Sequence, residues 1–220
     1  MNSRLLPSAL LSVGVVLMVI MWWFVFPSAG SDATISEDLA EILDNTGRAI
    51  TAGVIGTLAF ISLLIGWSFL ARFMADATDG ILSQIAELGR ILLLLCAAVL
   101  VVNSGLMTVV MDSSTELARA EAIFSVADAM GEAMGMFWGL ALFFVGSVAL
   151  YVEINGEKDK IATVVRAAIA IGGVLMFIEY FLAGSNGNTA FSAVAWMWVA
   201  IVTLLTGIGF YIRGREQSKS

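Results

Sequence analysis

Residues Ala49–Ala71 read AITAGVIGTLAFISLLIGWSFLA, 23 consecutive positions without an ionisable side chain. A backbone in lipid has no water to bond with, so a stretch this apolar must satisfy its own amides and carbonyls as a helix. At about 1.5 Å per residue, roughly 20 residues cross a hydrocarbon core of about 30 Å. Five further segments are similarly long and mostly apolar, Val164–Ala183 carrying Arg166 and Glu179: Ser8–Phe26, Ile91–Val110, Met134–Val152, Val164–Ala183 and Ala190–Ile212. The 220 residues are 60% hydrophobic and 13% charged, with a mean hydropathy of +0.95, and the connections are too short for a separate soluble domain. The expected fold class is all-α: a polytopic six-transmembrane-helix bundle, with residues 1–220 forming one integral membrane domain.

The charges between the segments are sorted. With the N-terminus in the cytoplasm, Arg4, Arg72, Arg90, Lys158, Lys160, Arg166, Arg213, Arg215 and Lys219 fall inside, and only Arg48 and Arg119 fall outside. Positive residues are retained on the cytoplasmic side, so both termini are expected there, in the cytoplasmic membrane of a prokaryotic cell. The outer face carries Asp32, Glu37, Asp38, Glu41, Asp44, Asp112, Glu116, Glu121, Asp128 and Glu132. This acidic face repels anions and keeps an exposed surface soluble. The first segment has signal-peptide ingredients in Arg4 and the small residues Ser28-Ala29-Gly30. Its apolar run of 19 residues is longer than a signal h-region, and Trp22-Trp23 suit an interfacial belt, so a retained span is expected.

Two outer connections carry helix-start signals. Thr34-Ile35-Ser36-Glu37 fits a capping box, followed by Ile35, Leu39, Ile42 and Leu43 at one-face spacing. Ser113-Ser114-Thr115-Glu116 repeats the pattern ahead of Leu117, Ala120, Ile123, Phe124 and Ala127. Two short amphipathic helices are therefore expected in the outer connections, flanking or roofing the mouth of the bundle. Gly184–Asn188 reads as a bare turn, and Trp67, Trp196, Trp198 and Tyr211 as interfacial anchors.

The chain has no histidine, which removes bis-histidine haem, histidine-bound copper or zinc, and Ser-His relays. Cys96 is the only cysteine, so neither an internal disulfide nor a cysteine metal cluster can form. No metal site and no cofactor are expected, and no catalytic residue stands out. The expected partners are the lipid bilayer and a membrane subunit or second copy of the chain; no basic stripe points to nucleic acid.

Glu179 is the residue most suggestive of function. It lies four positions before the outer end of the fifth segment, at a depth where ionisable groups usually face a bundle interior or water. At 100° per residue it shares a face with Ala168 and Gly172, a small-residue stripe that lets helices approach. Asn103, at comparable depth in the third segment, is the expected companion in a ligand or proton site, and Arg48 and Arg119 are the candidate charge partners. On the fourth segment Gly131, Gly135 and Gly139 recur every fourth residue, a ridge for helix packing within the bundle.

Asp76-Ala77-Thr78-Asp79-Gly80, at the inner end of the second segment, resembles the opening of the CDP-alcohol phosphotransferase signature, carried by small six-span enzymes. That resemblance implies a metal-dependent lipid-modifying activity using Asp76 and Asp79. The chain departs from the signature with Ser83-Gln84 in place of Ala-Arg, and it lacks the two later aspartates of the metal site.

The leading expectation is a non-enzymatic membrane protein, an accessory subunit or a small-ligand binder with a polar site in the outer half around Glu179. The alternative is a proton- or cation-coupled carrier of small solutes using Glu179.

Overall fold

The computed structural model describes residues 4–30, 33–112, 114–156, 159–186 and 189–217, and all regular structure among them is helical. Seven α-helices follow in chain order: α1 (Leu5–Val19), α2 (Ile35–Asp44), α3 (Thr46–Asp76), α4 (Gly80–Val110), α5 (Leu117–Asn155), α6 (Lys160–Asn186) and α7 (Thr189–Gln217). Six helices, all but α2, are long and apolar enough to cross a membrane. The chain thus has the architecture of a multi-pass membrane bundle.

Helix α1 starts with Pro7 in its first turn, where a missing amide leaves no broken bond. It then loosens into a π-helical stretch, Ile20–Val25, and the Phe26 amide donates to the Met21 carbonyl five residues back at 2.7 Å. Pro27 prevents continuation. The last carbonyls of this helix are not left bare: Arg48, two residues into α3, donates to the Phe24 and Val25 carbonyl oxygens.

The six spans stand in a ring in chain order, each against its neighbours, and the ring closes between α7 and α1. Ser8 Oγ donates to the Gly207 carbonyl at 2.8 Å across that closing seam. The N-terminal start of α1 and the C-terminal end of α7 therefore share one end of the bundle, and α2 lies at the other.

Lipid offers no hydrophobic drive between spans, so close approach rests on small residues. On the α5–α6 seam, a Cβ on Gly139 would stand 2.7 Å from the Phe177 backbone nitrogen and 2.8 Å from the Gly173 carbonyl oxygen. One on Gly146 would meet the Ala170 nitrogen at 2.6 Å. The α1–α3 seam uses Gly14 and Gly66, and the Trp22 indole lies directly on Gly56. At the end holding the termini, Gly80 takes φ +61° in the α3–α4 reversal, and Arg213 of α7 reaches both Glu153 of α5 (3.8 Å) and Asp159 (3.2 Å). The amides of Ala162 and Ile161, and then that guanidinium, hold the Asp159 carboxyl below the usual carboxylate range.

Several expectations need correction. The capping box at Thr34 is formed, with both reciprocal bonds present; α2 packs Leu39 and Leu43 with Val110, Ala120, Ile123 and Phe124, and Ile42 is buried as well. Ile35, expected on the same inner face, is exposed. Among the described residues there is no separate second short helix: α5 runs unbroken from Leu117 to Asn155, because the apolar spacing of its first turns continues in phase into the span. Its N-cap is Glu116 without a side-chain cap bond. Ser114 bonds Asp112 and Thr115 bonds the Val109 carbonyl, while Ser113, the expected cap, lies outside the described residues. Trp67 is no interfacial anchor but a fully buried core residue at 1% exposure. Part of the Gly184–Asn188 turn also lies outside the described residues.

Candidate functional site

The buried seam of α4 explains where the bundle opens. Ala86, Gly89, Leu93, Cys96 and Leu100 are buried at alternating spacings of three and four, one stripe of a helix packed against its neighbours. Gly89 sits against the Ala141 carbonyl and Val145 of α5, which pulls the two helices together. The next stripe positions are Asn103 and Met107, and they are only half-buried. Both line a cavity of about 960 Å³ at the α2 end of the bundle.

Five spans form its walls. Helix α3 contributes Gly53, Val54 and Thr57, and α4 contributes Leu100, Asn103, Ser104 and Met107. From α5 come Phe124, Asp128, Gly131, Glu132 and Met134. The π-helical stretch turns Trp22 and Trp23 toward it, followed by Phe26, and α7 presents Ser192, Ala193 and Trp196. No residue of α2 lines the cavity. Helix α2 is thus a prop and not the roof expected: it packs on the first turns of α5, and Ser36 Oγ donates to Glu121 at 2.6 Å.

Glu179 does not line this space. Half-buried on α6, it accepts a hydrogen bond from Ser192 Oγ at 2.8 Å, and Ser192 is itself part of the wall. The carboxylate therefore stands one hydrogen bond behind the cavity. Its stripe faces α7, where Gly172 meets Trp198 and Val199, and Trp198 Nε1 donates to the Ala168 carbonyl at 2.9 Å. Asn103 lines the cavity, but its amide donates to the Ala127 carbonyl at 2.8 Å and not to Glu179. The structure does not bring Arg48 or Arg119 to Glu179: Arg48 is engaged with backbone carbonyls of the first span, and Arg119 is exposed near the start of α5. Of the glycine ridge, Gly139 is clamped on α6, whereas Gly131 opens onto the cavity, with the Asn103 side chain 3.8 Å from where its Cβ would lie.

Sequence reasoning missed Asp128 and Glu132 as cavity residues: they read as solvent-facing charges of the outer connection, Asp128 on its short amphipathic helix. They are helical, and Glu132 stands within electrostatic reach of both Asp128 and Glu179. Their signal was present in the spacing: Phe124, Asp128, Gly131 and Gly135 continue one face of α5 without a break. Asp112, just past the end of α4, also lines the cavity, and the Ser114 amide and hydroxyl hold its carboxyl below the usual range. Trp22 and Trp196, expected as interfacial anchors, are wall residues.

Asp76 and Asp79 lie at the opposite end. Asp76 is exposed beside Arg72 at 4.0 Å, and Asp79 is the exposed N-cap of α4 without a side-chain cap bond. Among the described residues no group of three His, Cys, Asp or Glu side chains could hold a metal ion. No protein-family model, curated protein or solved structure matches the chain.

Proposed function

We propose that this chain is a non-enzymatic multi-pass protein of the prokaryotic cytoplasmic membrane that holds a small ligand in its outer half. The observation that carries the reading is the cavity of about 960 Å³, walled by five spans. Its size is that of a small-molecule site, roughly 300–1,000 Å³, and its character matches one: mostly apolar and aromatic walls with a few convergent polar groups. A bundle under selection for packing alone would close this space, because dispersion contact is what holds spans together in lipid. Glu179 then serves by holding the Ser192 hydroxyl in the wall.

Filling the cavity tests this. Ala193 lines it from α7, so Ala193→Trp places an indole where the ligand would sit. Binding of the neutral fluorescent probe N-phenylnaphthylamine to the detergent-solubilised protein is expected to weaken at least about tenfold, the loss of roughly 1.4 kcal/mol of contact. Unchanged binding would mean that the probe, and the site, lie elsewhere.

The proposed orientation places the α2 end outside and both termini in the cytoplasm. A membrane-impermeant maleimide applied to intact cells is expected to label Thr115→Cys and not Asp79→Cys, the native Cys96 being buried. The reverse pattern would invert the topology and put the cavity on the cytoplasmic side.

A further inference from the structure

The geometry points to a lipophilic organic cation as the ligand: an apolar, aromatic or branched body carrying one positive charge. This rests on the reading of the cavity as a ligand site and adds the chemistry of what fills it.

The first argument is the sign of the charges. The ionisable side chains lining the cavity are Asp112, Asp128 and Glu132, all of them acids. Among the described residues no lysine or arginine lines it. Arg48 comes closest in sequence, next to Ile50 in the wall, but its guanidinium is turned to the Phe24 and Val25 carbonyls. Glu179, behind Ser192, adds a further acidic side chain on the α7 side. An anion entering this space would face carboxylates with no counter-charge, in surroundings where screening is weak. A cation meets the opposite field and relieves the crowding of like charges.

The second argument is the order of groups with depth. Along α4 the wall runs from Leu100 to Thr108, eight residues or about 12 Å of helix rise, and Asp112 follows just past the helix end. Along α5, Asp128 precedes Met134 by six residues, about 9 Å. Asp112 and Asp128 thus stand at the α2 end, Glu132 lies about 3 Å from Met134 along α5, and the deep end is Leu100, Met134 and Trp196. A ligand seated with its charge level with Asp128 and Glu132 has its body among apolar and aromatic groups. The third argument is the aromatic content of the wall itself: Trp22, Trp23 and Trp196 line it, and indole rings attract cations beyond what area burial supplies. Methionines 107, 111 and 134 provide adaptable, polarisable packing for a body of variable shape.

The test uses two ions of the same shape and opposite charge, tetraphenylphosphonium and tetraphenylborate, competing with N-phenylnaphthylamine for the purified full-length protein. Tetraphenylphosphonium is expected to displace the probe at a concentration at least about tenfold lower than tetraphenylborate, the order of one or two cation–π or weakly screened charge contacts. The double variant Asp128→Asn, Glu132→Gln is expected to lose most of that preference, its integrity checked by elution profile and helical circular dichroism. Equal displacement by the two ions, or preference for the borate, would overturn the cation assignment while leaving the cavity a ligand site. Retention of the full preference in the folded double variant would overturn it equally. If the probe itself does not bind, or binds unaffected by Ala193→Trp, the cavity reading fails first. Should the double variant not fold, the comparison of the two ions on the unaltered protein decides alone.

Discussion

Gly139→Leu is expected to prevent recovery of a folded, monodisperse protein, and Gly139→Ala to lower stability by about 2–3 kcal/mol, near the upper end of overpacking costs. The reason is what surrounds the position. A Cβ there would stand 2.7 Å from the Phe177 nitrogen, 2.8 Å from the Gly173 oxygen and 2.8 Å from the Met176 Cβ. Two of these three atoms are backbone atoms of a packed helix and cannot swing aside as a flexible side chain would. Gly173 returns the contact, its own Cβ position lying 2.6 Å from the Gly139 carbonyl oxygen. The two helices therefore touch backbone to backbone, and any side chain must push α5 and α6 apart along the whole seam. Gly131→Ala and Gly105→Ala are the controls: the first has its nearest neighbour at 3.8 Å and the second has nothing within 4 Å. Both are expected to be neutral or slightly stabilising, since alanine is the better helix former by about 1 kcal/mol. Thermal melting and gel filtration in detergent read all four variants. A stable, monodisperse Gly139→Leu protein would show that the α5–α6 contact is not as described.

This contrast also shows how far the chain could be read before its structure. Gly131, Gly135 and Gly139 look alike as a fourfold-spaced ridge, yet one end of the ridge is clamped on α6 and the other borders a void. Spacing determines which residues share a face, but not what lies opposite. The same holds for α4, whose stripe from Ala86 to Leu100 continues in phase through Asn103 and Met107. What changes there is the neighbour, not the periodicity.

The spans themselves were legible because hydropathy reports directly on the cost of leaving a backbone unpaired in lipid, and each expected interior falls on a helix. Helix ends were less so. Carboxylates mark where hydropathy falls, and Asp128 and Glu132 were therefore assigned to a connection. A cavity in the wall of the bundle lets a span carry acidic side chains along one face without ending, and the hydropathy drop then marks the mouth of the cavity and not the edge of a helix. The π-helical stretch at Ile20–Val25 had no signal of its own, since the indoles of Trp22 and Trp23 suit a membrane interface as well as a cavity wall.

Phe60→Ala is the substitution expected to affect stability and ligand binding together. Phe60 is completely buried on α3 at the centre of the ring, edge-on to Trp22 at 5.2 Å, to Trp138 at 4.8 Å and to Trp196 at 6.1 Å. Trp138 and Trp196 also meet each other at 5.3 Å. One phenyl ring thus ties together α1, α3, α5 and α7, spans that are not all neighbours around the ring. Removing a buried aromatic side chain costs about 3–5 kcal/mol in soluble cores. In lipid the transfer from water contributes little between spans, so the dispersion and void terms remain and the lower figure, about 3 kcal/mol, is expected. Trp22 and Trp196 are at once partners of Phe60 and walls of the cavity, so their loss of support must reach the ligand. N-phenylnaphthylamine affinity is expected to fall several-fold in Phe60→Ala while Phe60→Leu, which keeps most of the volume, recovers the larger part of both losses. An unaltered melting temperature would mean that the aromatic cluster does not hold the ring together. A protein that melts early yet binds the probe as before would separate the cluster from the cavity, and with it the assignment of Trp22 and Trp196 to the site.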